Sequence, residues 1–131
     1  QQLKDKKIDL IVASPLQRAH DTAKIIAQEL GIDESQIILN DLFVERDFGS
    51  MEGTAYSPTA KIDGAPGAEH SDSVIARATK GFTWLQARPE TTILLVSHGA
   101  IGRALRHVVD PDSKPYQQQT RFENAAPEQL L

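Results

Sequence analysis

The sequence predicts an α/β fold built on a mostly parallel sheet with helices on its faces. Two stretches carry that prediction. Residues 8–13 (Ile8, Asp9, Leu10, Ile11, Val12, Ala13) and residues 92–96 (Thr92, Ile93, Leu94, Leu95, Val96) are mostly apolar runs of strand length, too short for helices. An unbroken apolar run such as 92–96 is the mark of a strand covered on both faces, as in parallel sheets. A third observation joins the two. Each run ends at a serine, Ser14 or Ser97, and leads through a short turn into a segment with helical apolar spacing. In open α/β sheets ligands gather beyond the carboxyl ends of the strands, so Ser14, Arg18 and His98 are expected to converge.

The totals narrow the class. The chain has 131 residues, which favours one domain, and 14 Lys+Arg against 18 Asp+Glu give a net charge of −4. That balance argues against a general nucleic-acid or anionic-membrane surface but leaves room for a small basic pocket. The absence of cysteine removes disulfides and thiolate zinc sites and fits a reducing, cytoplasmic setting. No run reaches the ~18 apolar residues of a membrane span. The opening Gln1-Gln2-Leu3-Lys4 has no initiator methionine and no signal-peptide pattern, which suggests a chain trimmed at that end.

In order, residues 1–7 are polar. After the first strand, Ser14-Pro15-Leu16-Gln17 reads as a helix start, with Ser14 as cap, Pro15 where its missing N–H costs nothing, and Gln17 completing a capping box. Leu16, Ala19, Ala23, Ile26, Ala27 and Leu30 form one face, and Gly31 ends the helix. Arg18 breaks a rule: a cation in the first turn opposes the helix dipole. It is either a solvated surface residue or half of an anion site made with free N–H groups. His20, on the polar side, is given no role.

Residues 33–36 read as a polar turn and 37–39 as a short strand. Glu45, Arg46, Asp47 and Glu52, mixed with apolar groups and glycines, suggest either a loop folded over a polar centre or an ordinary wet turn. Residues 49–70 show little periodicity, so that stretch is a lid, a binding loop or disorder. Ser71-Asp72-Ser73 offers caps for a helix bearing Val74, Ala78, Phe82 and Leu85, with Trp84 covering an edge. Gly81 should weaken this helix by roughly 1 kcal/mol, and Arg88-Pro89 should end it. Beyond Ser97-His98-Gly99, a helix from about Ala100 presents Ile101, Ala104, Leu105, Val108 and Val109, with Asp110-Pro111 as its stop. His98 is either a functional group or a histidine hydrogen-bonded at a strand end. His107 suits the dipole at a helix C-terminus. Residues 115–120 read as a linker and 121–127 as the start of a closing edge strand.

Together these residues resemble the histidine phosphatase superfamily, the phosphoglycerate mutase-like proteins. The matching pieces are Ser14-Pro15-Leu16-Gln17-Arg18-Ala19 with Thr22-Ala23, then Glu45-Arg46-Asp47-Phe48-Gly49 with Glu52-Gly53, then Val96-Ser97-His98-Gly99, in family order across nearly the whole chain. The resemblance implies a three-layer sandwich and phosphoryl transfer through a phosphohistidine. On it, Arg18 becomes a phosphate clamp, His98 a phosphate-pocket histidine with a catalytic role, and Glu45 the catalytic proton donor. Glu45 would have to be protonated near neutrality, with Asp47 as a neighbour that helps. Glu69 and His70, in an irregular match to the family's Gly-Glu-Ser, take no role.

The family nucleophile stands in an Arg-His-Gly motif, and no such triplet occurs here; the histidines are His20, His70, His98 and His107. By resemblance the chain is a single, N-terminally incomplete domain. The missing strand is expected between the strands at 8–13 and 92–96, leaving apolar edges open to pairing. The resemblance implies a phosphomonoesterase in the complete protein, because residues 53–71 are short for the insertions of phosphoglycerate mutases. Mutase-type transfer, a non-catalytic phosphate-ester-binding domain and a plain α/β domain are the alternatives. A small phosphorylated substrate is implied. No metal or cofactor is required, nucleic acid and membrane are not expected partners, and an oligomer is left open.

Overall fold

The structure is a computed structural model that describes residues 7–51 and 63–110. Three strands, β1 (Leu10–Ala13), β2 (Ile38–Leu39) and β3 (Ile93–Val96), form a parallel sheet in the order β2-β1-β3. Helices α1 (Gln17–Leu30), α2 (Ser71–Gln86) and α3 (Gly99–Val109) cover its two faces. Alternation along β1 creates the three layers. Ile11 and Ala13 pack with Ala23 and Ala27 of α1, while Leu10 and Val12 pack with Val74 and Ala78 of α2 and Ile101, Ala104 and Leu105 of α3.

The expected position of a further strand is corrected. Leu10, Ile11, Val12 and Ala13 stand directly opposite Ile93, Leu94, Leu95 and Val96, so nothing lies between β1 and β3. The ladder continues past both ends, with Asp9 N donating to Thr92 O at 2.9 Å and Ser14 N to Val96 O at 3.0 Å. Two uninterrupted apolar runs of equal length satisfy each other's backbone groups. A second expectation is also revised. β1 is buried throughout, but all four β3 residues are only half-buried. Among the described residues β3 has a strand on one edge only, and an edge strand keeps part of its surface in water whatever its hydropathy.

The start of α1 differs from the capping-box expectation. The helix begins at Gln17, its N-cap is Leu16, and no side chain caps it. Ser14 is drawn off to another partner, described below. Arg18 does lie in the first turn, and Gly31 closes the helix at φ 73°, a left-handed conformation that glycine adopts without strain. The buried face consists of Ala19, Ala23 and Ala27, small residues that let α1 lie close to the sheet.

On the other face, Asn40 Oδ1 accepts from Leu42 N at 2.9 Å and caps a 3₁₀ turn, Asp41–Phe43, that drives Phe43 into the core with no exposed surface. Gly81 of α2 lies against that ring. A Cβ at Gly81 would stand 2.6 Å from Phe43 Cε1, so the glycine that weakens the isolated helix makes room for the core. Trp84 meets Phe43 edge-on at 6.3 Å, and Arg88, paired with Glu90 at 3.1 Å, stacks over Trp84. α2 is capped by His70, whose Nδ1 accepts from Asp72 N at 3.1 Å, and not by the serines expected to do so. Ser71 is instead the first helical residue, and its hydroxyl donates to Asp63 at 2.5 Å.

The described ends of the long loop lie together. Phe48 and Ala68 form an antiparallel bridge, and Glu69 N donates to Asp47 O at 2.7 Å. Gly49, at φ 55°, leaves no room for a Cβ beside Pro66 O and Ala68 N. The expectations for residues 1–6, for Glu52 and Gly53 within the lid segment, for Pro111, for the 115–120 linker and for the 121–127 strand lie outside the described residues.

Candidate active site

The carboxyl ends of β1 and β3 bring the singled-out residues together. Ser14 follows β1 and His98 follows β3 as the N-cap of α3. Their side chains meet, with His98 Nε2 at 2.9 Å from Ser14 Oγ. The Ser14 oxygen also accepts from Leu16 N at 3.2 Å, which explains why it does not cap α1 further on. Ser14 is fully buried and His98 half-buried.

Glu45 enters from the loop after β2. Its Oε1 accepts from Ile101 N at 3.1 Å and from Arg46 N at 2.9 Å, and its Oε2 accepts from Ala100 N at 3.2 Å. The carboxylate thus occupies the first free N–H groups of α3, where a negative charge suits the dipole. Asp47, the expected helper of Glu45, is turned to its own loop. It is exposed, and its Oδ1 accepts from Gly49 N at 2.8 Å, because a short acidic side chain reaches its own turn first.

His98 registers the charges around it. Burial holds its pKa below the usual histidine value, the Glu45 carboxylate pulls it upward, and the Arg18 guanidinium pushes it down again. Arg18, exposed in the first turn of α1, therefore shares one electrostatic neighbourhood with Glu45 and His98.

Several residues that support this arrangement were assigned no role from the sequence. Ser97 Oγ donates to Phe43 O at 2.7 Å, tying the end of β3 to the segment that leads to Glu45. Arg77 of α2 donates to Leu42 O and Val44 O, both at 3.0 Å, and grips Glu69 with two nitrogens at 2.9 and 2.8 Å. That grip lowers the Glu69 pKa. Arg46 is almost completely buried, donating to Asp63 at 2.6 Å and to Glu69 O at 2.9 Å. Glu69 and His70 are therefore occupied in fixing the loop and capping α2. Their only legible signal was an arginine eight residues from a glutamate across a helix start, a spacing too common to single out.

Among the described residues no three His, Asp or Glu side chains are grouped to hold a metal ion, and no helix is long and apolar enough to cross a membrane.

Arg18, Glu45 and His98 thus share one neighbourhood at the carboxyl edge of a parallel sheet, where ligands gather in open α/β folds. A family model described as the histidine phosphatase superfamily (branch 1) matches residues 1–126, and the chain belongs to that family. It is 35% identical over 127 residues to the uncharacterized phosphatase PhoE of Bacillus subtilis, covering 94% of this chain and 64% of that protein. It is 35% identical over 105 residues to the bifunctional protein Rv2228c of Mycobacterium tuberculosis, covering 70% of this chain and 28% of that one. The phosphoglycerate mutase-like protein 4 of Arabidopsis thaliana is 27% identical over 127 residues, with 85% and 54% covered. The fold superposes on the mycobacterial glucosyl-3-phosphoglycerate phosphatase Rv2419c, solved with inorganic phosphate, at a TM-score of 0.73 and 25% identity, over 94% of this chain and 69% of that one. The three-layer α/β expectation and the family resemblance are thereby met. The chain spans 28% to 64% of the length of these curated relatives.

Proposed function

We propose that the complete protein is a phosphomonoester hydrolase that works through a phosphohistidine. The observation that carries this reading is the cluster of Arg18, Glu45 and His98 across the ends of β1 and β3, with His98 hydrogen-bonded to Ser14 at 2.9 Å. Phosphoryl transfer spreads negative charge over the equatorial oxygens, and fixed donors supply most of the stabilisation. Arg18 clamps those oxygens with its planar fork. His98 contributes a ring N–H from a neutral imidazole. Glu45, whose carboxylate is held by three backbone N–H groups, must take up a proton before it can deliver one to the departing oxygen, a contribution worth ~10²–10⁴ in rate.

The attacking histidine is not among those present. None of His20, His70, His98 and His107 stands in an Arg-His-Gly triplet, so the nucleophile belongs to a segment outside these 131 residues. The second edge of β3, unpaired among the described residues, supports that assignment: its apolar residues are half-buried beside a strand end that already carries His98. The substrate is a small phosphate ester in a cytoplasmic setting. A second reading, a phosphate-ester-binding domain without chemistry, is favoured by the same missing triplet.

The test is hydrolysis of an aryl phosphate by the full-length gene product, with trapping of an acid-labile phosphohistidine. Turnover, with the label on a histidine other than these four, supports the enzyme. An inert full-length protein that still binds phosphate supports the binding domain.

A further inference from the structure

Ser14 is fully buried, and its hydroxyl has two neighbours among the described residues: the Leu16 amide, which donates to it at 3.2 Å, and His98 Nε2 at 2.9 Å. A hydroxyl has one hydrogen to give and two lone pairs to fill. The Leu16 N–H fills one lone pair. If Nε2–H filled the other, the serine hydrogen, on a fully buried side chain, would be left with no acceptor among the described residues, the arrangement that buried polar groups avoid. The hydrogen bond therefore runs from Ser14 O–H to an unprotonated Nε2. A neutral imidazole then carries its proton on Nδ1, which makes no hydrogen bond to the described residues.

We propose that Ser14 is a positioning residue that fixes His98 as its Nδ1–H tautomer, so that Nδ1–H is the hydrogen presented to a phosphoryl oxygen. The second half of this statement rests on the phosphate-handling reading above; the first half stands on hydrogen-bond accounting alone. Because the serine is held by the turn out of β1 and the imidazole by the turn out of β3, the tautomer is set by the pairing of these two strands. Sequence distance hides the relationship, since residues 14 and 98 meet only through that pairing. Ser14 would not touch the substrate. It acts through His98, and its loss is felt as a wrongly placed proton and not as a lost contact.

The experiment is nitrogen–proton correlation spectroscopy of the imidazoles in uniformly ¹⁵N-labelled protein, held at a pH where His98 is neutral. The wild-type chain should show the Nδ1–H pattern for His98. Ser14→Ala should move His98 to the Nε2–H form that free imidazole side chains prefer, while Ser14→Thr, which keeps a hydroxyl, should restore Nδ1–H. With inorganic phosphate as probe, Ser14→Ala should bind roughly 3- to 10-fold more weakly, the loss of one ordinary hydrogen bond, and Ser14→Thr should bind close to wild type. An Nε2–H pattern in the wild type, or an unchanged tautomer in folded Ser14→Ala, overturns the assignment. If Ser14→Ala does not fold, the wild-type spectrum decides by itself. Phosphate that leaves the His98 resonances of the wild type unmoved overturns the anion-site reading and leaves the tautomer to be judged on its own spectrum.

Discussion

The Glu45 carboxylate sits on the N-terminus of α3, 3.1 Å from the Ile101 amide through Oε1, with Oε2 on Ala100. It is a cap supplied from another part of the chain. Removing it in Glu45→Ala strips two helix-end donors of their partner and should cost about 1–2 kcal/mol, as lost caps do. Glu45→Gln, which keeps one acceptor oxygen, should cost less. Urea unfolding curves decide, and equal stability of Glu45→Ala and wild type would contradict the contact.

Gly81 and Phe43 set a second expectation. Replacing glycine by alanine in an exposed helix gains roughly 1 kcal/mol. Here the added Cβ would lie 2.6 Å from Cε1 and 3.0 Å from Cζ of a fully buried ring. Overpacking costs typically ~1–3 kcal/mol, so Gly81→Ala should be net destabilising. Phe43→Leu in the same background should recover part of the loss, a coupling that a double-mutant cycle measures.

Much of this was legible in advance and some was not, for a common reason. Both strand–turn–helix units were readable because their signals are local: an apolar run, a turn, then helical spacing. The convergence of Ser14 and His98 was readable because parallel sheets place such turns on one edge. What failed was whatever depended on a partner far along the chain. Ser14 has the spacing of a cap but is captured by His98. Gly81 looks like a flaw until Phe43 arrives beside it. The direct pairing of β1 with β3 cannot be read from either strand, since each presents the same backbone to any neighbour. Arg77 carries no motif, yet one of its nitrogens holds the Leu42 and Val44 carbonyls on the way to Glu45 while the other two grip Glu69.

That role of Arg77 is open to measurement. Arg77→Lys keeps the charge but loses the fork that reaches Glu69 and the two carbonyls. It should destabilise by about 1–3 kcal/mol, and the Ala100 and Ile101 amides should exchange faster as Glu45 loosens. Unchanged exchange at those amides would confine Arg77 to the loop and away from the cap.

The pH dependence has two windows of the same sign. His98 has its pKa held below the ordinary 6.5, chiefly by burial, so the unfolded chain binds its proton first. Stability from this group is present above about pH 6.5 and falls as the pH drops toward the folded pKa. Glu69, lowered by its Arg77 bonds, and Asp63, where burial pushes upward but Ser71, Arg46 and His70 outweigh it, lose their contributions further down, below the normal carboxylate range. Unfolding free energies measured through this range should decline in both windows, and His98→Gln should flatten only the upper one. A stability that rises as the pH falls from 7 to 6 would contradict the assignment for His98.

The most direct trial of the central claim is chemical unfolding of this chain with and without inorganic phosphate, in the wild type and in Arg18→Ala. If Arg18 and His98 face one oxyanion, phosphate at ~100 times its dissociation constant should add about 2.7 kcal/mol to the wild type, and the same concentration should add far less to Arg18→Ala. Phosphate that stabilises neither protein, or both equally, would contradict it.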